Sequence, residues 1–394
     1  MTVRAPHAPL DGVTVLGLEQ AVSAPLCTRH LADLGARVIK VEQPGVGDSA
    51  RHYDDTVRGL AAHFIWLNHG KESVALDLTS EADAEVFARL LARADVLVSN
   101  LAPGALGRLG LHLDELVDTH QRLIVVDISG YGRGGPLDHK RAYDLLVQAE
   151  SGACAITGVP GRPAKSGIPI ADVGTGLYAL SAVLTALYDR DRTGRGTVIS
   201  ISMFDVVAEL MGFAINQVIH TGSMPDPVGM GSPMVVPYSA FQTRDGWQVV
   251  LGTTSDREWQ RFARQLLDRP DLAEDPRFAR NKARVEHRAE LDAITGAWCR
   301  ERDCADIVAL ADAAGIGNAV LNDVPALVKH PQLEQRGRWC TAGSPVGEVP
   351  VLLPPPTSAD WLPVVGGVPA LGEHTAKVRE ELCGSGGAGV DPGA

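Results

Sequence analysis

No Cys-x-x-Cys pair occurs among the 394 residues of this chain, and its six cysteines, at 27, 154, 299, 304, 340 and 383, keep no zinc-ligand spacing to histidines. That pattern argues against a metal site. Scattered thiols of this kind point to reduced cysteines in a cytoplasmic protein. Positive charge is also in short supply: 36 Lys and Arg stand against 48 Asp and Glu, for a net charge of −12. Such a balance argues against nucleic acid or an anionic membrane surface as a partner. Residues 1–10 lack the apolar core of a secretory signal. No apolar run looks long enough for a bilayer, which takes about 20 residues. The P-loop, HExxH and GxSxG patterns are all missing, and no internal repeat is visible.

What is present is an apolar fraction of 45%, ample for a sizeable core. The length suggests about two or three domains. In the first half, β-rich runs alternate with helical patterns. Strands are expected at Val13–Glu19, Ala36–Glu42, Ser73–Leu78, Asp95–Leu101 and Arg122–Ser129. Helices are expected at Pro25–Gly35 and Ser80–Ala94, with Ser80 as the N-cap. Strands spaced by helices predict an α/β fold with a mostly parallel sheet covered on both faces. Helices should then dominate from Ala142 to His220, broken by a loop at Gly158–Gly167 and a strand at Thr197–Ser202. A Gly/Pro-dense linker at 223–237 precedes a hairpin over Tyr238–Gly252 that turns at Asp245-Gly246. Ser255 and Glu258 form a capping-box pattern, and further helices fill Arg284–Gly315. The expected domains are therefore 1–222 with 331–383, and a smaller α+β domain at 238–330. Residues 384–394 read as a disordered tail.

Gly130-Tyr-Gly-Arg-Gly-Gly135 has dinucleotide-fingerprint spacing after a strand. Pro136-Leu-Asp-His-Lys-Arg141 follows it, where the fingerprint needs a helix N-terminus for the pyrophosphate. A turn is the better reading, and a nicotinamide dehydrogenase is disfavoured.

The chemically informative segment is Ile168-Pro-Ile-Ala-Asp-Val-Gly-Thr-Gly-Leu-Tyr178. Apolar residues at 180, 183, 184, 187 and 188 mark a helix after it, which places Asp172 at or just before the helix start. Asp172 is then either an N-cap or a carboxylate nucleophile. A helix N-terminus is expected to lower its pKa, and Gly174 and Gly176 would leave room for a ligand near the backbone. A carboxylate suits attack on an acyl-CoA thioester, because each covalent intermediate keeps the acyl group activated.

An ordered set of segments resembles the class III CoA transferase family, also called CaiB/BaiF. Among them are Asp33-Leu-Gly-Ala-Arg-Val-Ile-Lys-Val-Glu42, Asn68-His-Gly-Lys-Glu-Ser-Val-Ala-Leu-Asp77, Ala171-Asp-Val-Gly-Thr-Gly176, Thr193-Gly-Arg-Gly196 and Leu371-Gly-Glu-His-Thr375. The resemblance implies a Rossmann-like large domain built from both ends of the chain, and an interlocked homodimer. It implies Asp172 as the nucleophile and CoA thioesters as substrates, with no tightly bound cofactor. CoA contacts carry over to Ala21, Val22, Ser23, Lys71, Asn100, Leu101, Arg108, Leu109, Arg141, Tyr143 and Met203. Lys71, Arg108 and Arg141 would suit the phosphates. Gly229 and Gly231, in the loop Val228–Ser232, match a lid over the nucleophile. His30, Arg51, His52 or Arg58 are candidates to pair with a second carboxylate of a small dicarboxylate such as succinate, malate, mesaconate or itaconate. Two rivals stay in view, an α-methylacyl-CoA racemase and a non-catalytic CoA-binding protein. Resembling racemases carry His-Asp where this chain has Tyr143-Asp144, and a racemase needs two acid/base groups at the α-carbon.

Overall fold

The computed structural model describes residues 7–384. The first five strands are β1 (Thr14–Leu18), β2 (Arg37–Glu42), β3 (Lys71–Ala75), β4 (Val96–Ser99) and β5 (Ile124–Ser129). After a two-residue pair, β6 (Gly158–Val159) and β7 (Arg162–Pro163), comes β8 (Val198–Ser202). Strands β3-β2-β1-β4-β5-β8 make one parallel sheet in that order. This is the doubly wound arrangement.

The sheet is buried on both faces, which is why its central strands β1 and β4 are nearly continuous apolar runs rather than alternating ones. Val15, Val96, Val98, Ile124 and Val126 pack on one side against α1 (Ser23–Asp33) and α7 (Ile170–Thr193). Leu16, Leu97 and Val125 point to the other side, toward Phe87, Leu90 and Leu91 of α3 (Glu81–Leu91). Ser80 caps α3, its hydroxyl accepting the Asp83 N–H. The other helices here are α2 (Ala62–Asn68), α4 (Ala105–Arg108), α5 (Leu113–Thr119), α6 (Asp144–Glu150) and α8 (Met203–Leu210). Strand β3 starts at Lys71, two residues before the expected Ser73, because its ladder follows β2 from Val38 to Glu42.

The described residues divide into two compact units. The first takes the chain up to Ser151, Gly167–Gly212 and the segment from Glu334 onward. The second takes Gly152–Ser166 and Phe213–Leu333. Residues 152–166 and 213–222 thus go with the second unit, not with the first as expected from the sequence. In the first unit the C-terminal segment returns to the sheet. Its last helix, Thr375–Gly384, sets Val378 and Leu382 into the Phe87 cluster. Gly384 closes that helix, and residues 385–394 lie outside the described residues.

In the second unit, an antiparallel sheet packs on helices around Trp259, Phe262, Phe278, Leu291 and Ile307. The hairpin Tyr238–Gln242 with Gln248–Gly252 turns where Gly246 has φ 86°. Ser255 accepts the Glu258 N–H at 3.2 Å, but the Glu258 carboxylate binds the Thr254 N–H rather than that of Ser255.

Helix α7, 24 residues long, is long and apolar enough to cross a bilayer by length and composition. The sequence reading found no such run and is corrected here. Part of that apolarity serves packing, with Ala179, Val183 and Leu187 buried against α1 and the sheet, while Leu177, Tyr178, Leu184 and Tyr188 are exposed. Glycines 174 and 176 also have a different purpose from the ligand access expected of them. A Cβ on Gly176 would lie 2.7 Å from the Ser23 carbonyl oxygen, and one on Gly174 would lie 3.1 Å from a Val206 methyl. They let α1 and α8 approach α7. Gly176→Ala is expected to cost about 1–3 kcal/mol of stability by overpacking. An unchanged denaturant midpoint would show that the α1–α7 spacing tolerates a methyl group.

Candidate active site

In the parallel sheet, the chain winds outward from β1 through β2 to β3, and from β4 through β5 to β8. The order reverses between β1 and β4, and in such sheets the crevice at the carboxyl ends of the two strands is where ligands bind. Gln20–Ser23 follow β1 there, and Asn100–Leu101 follow β4. Asn100 ties the two: its Oδ1 accepts the Gln20 N–H at 2.8 Å, and its Nδ2 donates to the Gln20 carbonyl and to Ser23 Oγ.

Ala21 has φ 61°, a conformation that L residues adopt at a cost. What holds it is a buried set of four charges. Lys40 donates to Asp48 at 2.8 Å and to Glu19 at 3.3 Å, and Lys71 donates to Glu19 at 2.7 Å. All four side chains are fully buried. The other oxygen of Asp48 accepts the N–H groups of Ala21 and Ala50, and Thr28 donates to the second oxygen of Glu19. Burial works to raise the Glu19 pKa, but Lys71 and Lys40 hold the carboxyl down to about 2.

Lys71 is therefore not free for a phosphate. Its three N–H bonds go to Glu19, the Pro25 carbonyl and Asn68, and this corrects its expected role. Lys40, Glu19 and Asp48 were missed. The signal was there in Val38-Ile-Lys-Val-Glu42, where a lysine interrupts an apolar strand.

Asp172 is the third residue of α7, whose N-cap position is Pro169 with no side-chain cap bond. Asp172 is thus not a cap. Asp144, the first residue of α6, reaches across instead, its Oδ1 accepting the N–H of Ala171 at 2.9 Å and of Asp172 at 3.3 Å. The N–H groups that would have steadied the Asp172 anion are turned to another carboxylate. Burial first, and the Asp144 charge second, push the Asp172 carboxyl up to about 7, while a hydrogen bond from Ser23 pulls the other way. The expected lowering by the helix terminus is overturned for that reason. Nearby, Gln148 donates to the second oxygen of Asp144 at 2.6 Å, which fixes its orientation.

The other expected residues fall as follows. Val22 and Met203 are buried. Leu101 and Leu109 are half-buried. Arg108 in α4 and Arg141 before α6 are exposed, with no ion-pair partner among the described residues. Tyr143 is 64% exposed and leads into α6. In the second unit, Gly229 has φ 62° and donates its N–H to the Gly158 carbonyl, so that group is already engaged. Gly231 lies two residues on, near the Val228 carbonyl. Two of the proposed carboxylate partners are committed elsewhere: Arg51 binds both oxygens of Glu42, and His30 is buried against Arg29. His52 and Arg58 remain exposed, each bonding a backbone carbonyl. Gly130–Gly135 opens no helix, the next one starting at Asp144. No group of three His, Cys, Asp or Glu side chains among the described residues is placed to hold a metal ion.

Comparison with known proteins gives a consistent result. The model of CoA-transferase family III matches residues 10–375. Acetyl-CoA:oxalate CoA-transferase of Acetobacter aceti is 35% identical, over 87% of this chain and 88% of that protein. Succinyl-CoA–D-citramalate CoA-transferase of Chloroflexus aurantiacus is 33% identical, over 98% and 96%. Among solved structures, a CAIB/BAIF family protein from Brucella suis superposes with a TM-score of 0.83 at 34% identity, covering 95% of this chain and 99% of that one.

The two carboxylates make a direct prediction. Asp144→Asn keeps an oxygen for both N–H groups and removes the charge. Asp172, followed by carbon-13 NMR, is expected to titrate clearly below its midpoint of about 7. An unmoved midpoint would mean that Asp144 acts on α7 without acting on Asp172.

Proposed function

We propose, from the premise that this chain belongs to CoA-transferase family III and is a CoA-transferase, that Asp172 is the nucleophile carrying the acyl and CoA groups. The observation that supports this reading is the raised, half-buried Asp172 carboxyl at the switch-point crevice, bonded by Ser23 and flanked by Asp144. A carboxylate near pKa 7 is a stronger nucleophile than an ordinary one, and about half of it is ionised at neutral pH.

The steps balance. An Asp172 oxygen attacks the thioester carbonyl of the donor acyl-CoA, the C–S bond breaks, and CoA thiolate leaves a mixed anhydride. The thiolate attacks the Asp172 carbonyl carbon and releases the donor carboxylate, which leaves an aspartyl-CoA thioester. The acceptor carboxylate attacks that thioester, forming a second anhydride and freeing the thiolate. Finally the thiolate attacks the acceptor's acyl carbon, giving acceptor-CoA and restoring the Asp172 carboxylate. Thioester free energy is retained through each covalent stage.

CoA lies along Ala21–Ser23 and Asn100–Leu101 in this reading, with Leu109, Tyr143 and Met203 beside it. Arg108 and Arg141, exposed and unpaired among the described residues, take its phosphates. The Val228–Ser232 loop acts as a lid that excludes water during turnover. The acceptor is a small dicarboxylate, for which the relatives named for oxalate and citramalate give support. His52 or Arg58 then meets its second carboxylate. Exposed apolar residues along α7, among them Leu177, Tyr178, Leu184 and Tyr188, support the homodimer.

Asp172→Ala is expected to abolish CoA exchange while the protein stays folded, and hydroxylamine should trap acylated Asp172 in the native enzyme alone. Full exchange by the variant would end the proposal. In the native enzyme the rate should rise with pH through about 7, as the carboxyl loses its proton. Arg108→Ala should raise the KM for acyl-CoA about tenfold, the order of one charge-assisted hydrogen bond. An unchanged KM would place the phosphates elsewhere.

A further inference from the structure

Ser23 opens α1 and is 2% exposed, so solvent has little access to its hydroxyl. It lies against the face of α7 that carries Asp172. Gly176 stands four residues after Asp172, one helical turn along the same face. A Cβ there would lie 2.7 Å from the Ser23 carbonyl oxygen. Val173, the neighbour of Asp172, packs on Val22 and Leu26, which stand on either side of Ser23 in the chain. Across this contact the Ser23 hydroxyl bonds the Asp172 carboxylate.

The direction of that bond is set from the residue after β4. Asn100 Oδ1 accepts the Gln20 N–H at 2.8 Å, so the other end of its amide, Nδ2, faces the Gln20 carbonyl and Ser23. Both Nδ2 hydrogens are spent there, one on the Gln20 carbonyl at 2.8 Å and one on Ser23 Oγ at 3.2 Å. Turning the amide over would set an NH2 against an N–H and one carbonyl oxygen against another. A serine hydroxyl has one proton and two lone pairs. With a lone pair of Oγ given to Asn100, the proton is left for Asp172.

Few charges compete for Asp172. From α6, Asp144 acts on it directly, while Glu150 is paired with Lys140. The charged residues of α8, Asp205 and Glu209, are exposed, and Val206 and Leu210 are what meets α7 at Gly174. On α1, Arg29 and Asp33 pair with each other at the far end, and His30 stays uncharged. Glu19 is held by Lys40 and Lys71, and Asp127 of β5 by Arg133. The other charges of α7 itself stand at its far end, from Asp189 on.

We infer that Asn100 and Ser23 are positioning residues for the Asp172 chemistry: Asn100 turns the Ser23 hydroxyl toward the carboxylate, and the single Ser23 proton engages one carboxylate oxygen and leaves the other for attack. The inference rests on the reading of Asp172 as nucleophile and adds to it which oxygen reacts, the one that Ser23 does not hold. A hydrogen bond to the charged form also favours ionisation. Ser23 therefore works against the rise that burial and Asp144 cause, and keeps a share of Asp172 ionised at neutral pH.

Ser23→Ala and Asn100→Ala, singly and together in the full-length protein, test it, with circular dichroism to check that each variant is folded. In Ser23→Ala the Asp172 midpoint, read by carbon-13 NMR, should rise from about 7 by about one pH unit, the order of one hydrogen bond to a charged group. CoA exchange at neutral pH should then fall about fivefold and recover by about pH 9, which the loss of a merely structural serine would not show. Asn100→Ala should raise the midpoint too. The double variant should go no further than Ser23→Ala, because Asn100 acts through the hydroxyl. An unmoved midpoint in Ser23→Ala would overturn the inference, as would an exchange loss that stays the same at high pH, or two shifts that add in the double variant. The midpoint needs no turnover, so each of these results leaves the nucleophile reading standing. That reading falls instead on full exchange by Asp172→Ala.

Discussion

Four buried charges hold the crevice open. Glu19 follows the first strand, Lys40 sits in the second, Asp48 follows it and Lys71 begins the third, so one compensated cluster joins three strands. Taking two ion pairs out of water is expensive, and the attraction inside returns that cost only with good geometry and further hydrogen bonds. Here Thr28, Asn68, the Pro25 carbonyl and two backbone N–H groups supply them. The result is a fixed loop after β1, with Ala21 held at positive φ and Ser23 presented to Asp172. Replacing the cluster with apolar residues would leave the sheet plausible, but it would release the loop that shapes the site.

The second constraint is the meeting of two carboxylates at one helix end. A lone aspartate three residues into a helix would have its charge stabilised by the free N–H groups. Asp144 takes those groups for itself and adds its own charge beside Asp172. Gly174 and Gly176 let α1 and α8 close on the same helix, which brings Ser23 to Asp172. Packing and electrostatics are thus set by the same few residues, and the basic carboxylate that thioester chemistry favours is a product of the tertiary arrangement.

Much of the fold was legible in the sequence. Strands separated by helical patterns announced a mostly parallel sheet covered on both faces, and the Ser80 and Ser255 caps fell where propensity puts them. The Asp172 helix and its small neighbours were visible too. Other features were not. Lys71 looked like a solvent-reaching lysine until its three donors proved to be spent inside the protein. The glycines looked like ligand space and are helix contacts. The Asp172 helix was expected, but its full length and apolarity were not.

The sequence by itself determined the periodicities, hence the order and type of elements, and it carried the ordered segments that mark the family. Those are short-range properties, written in residues that are neighbours along the chain. Only the tertiary structure decided the charge states and partners. Asp144 meets the N–H groups of residues 171 and 172 from 27 and 28 positions away, and Glu19 meets Lys71 from 52. Such pairings depend on how strands and helices stack, and burial then multiplies their effect on each carboxyl, because a low-dielectric interior screens little.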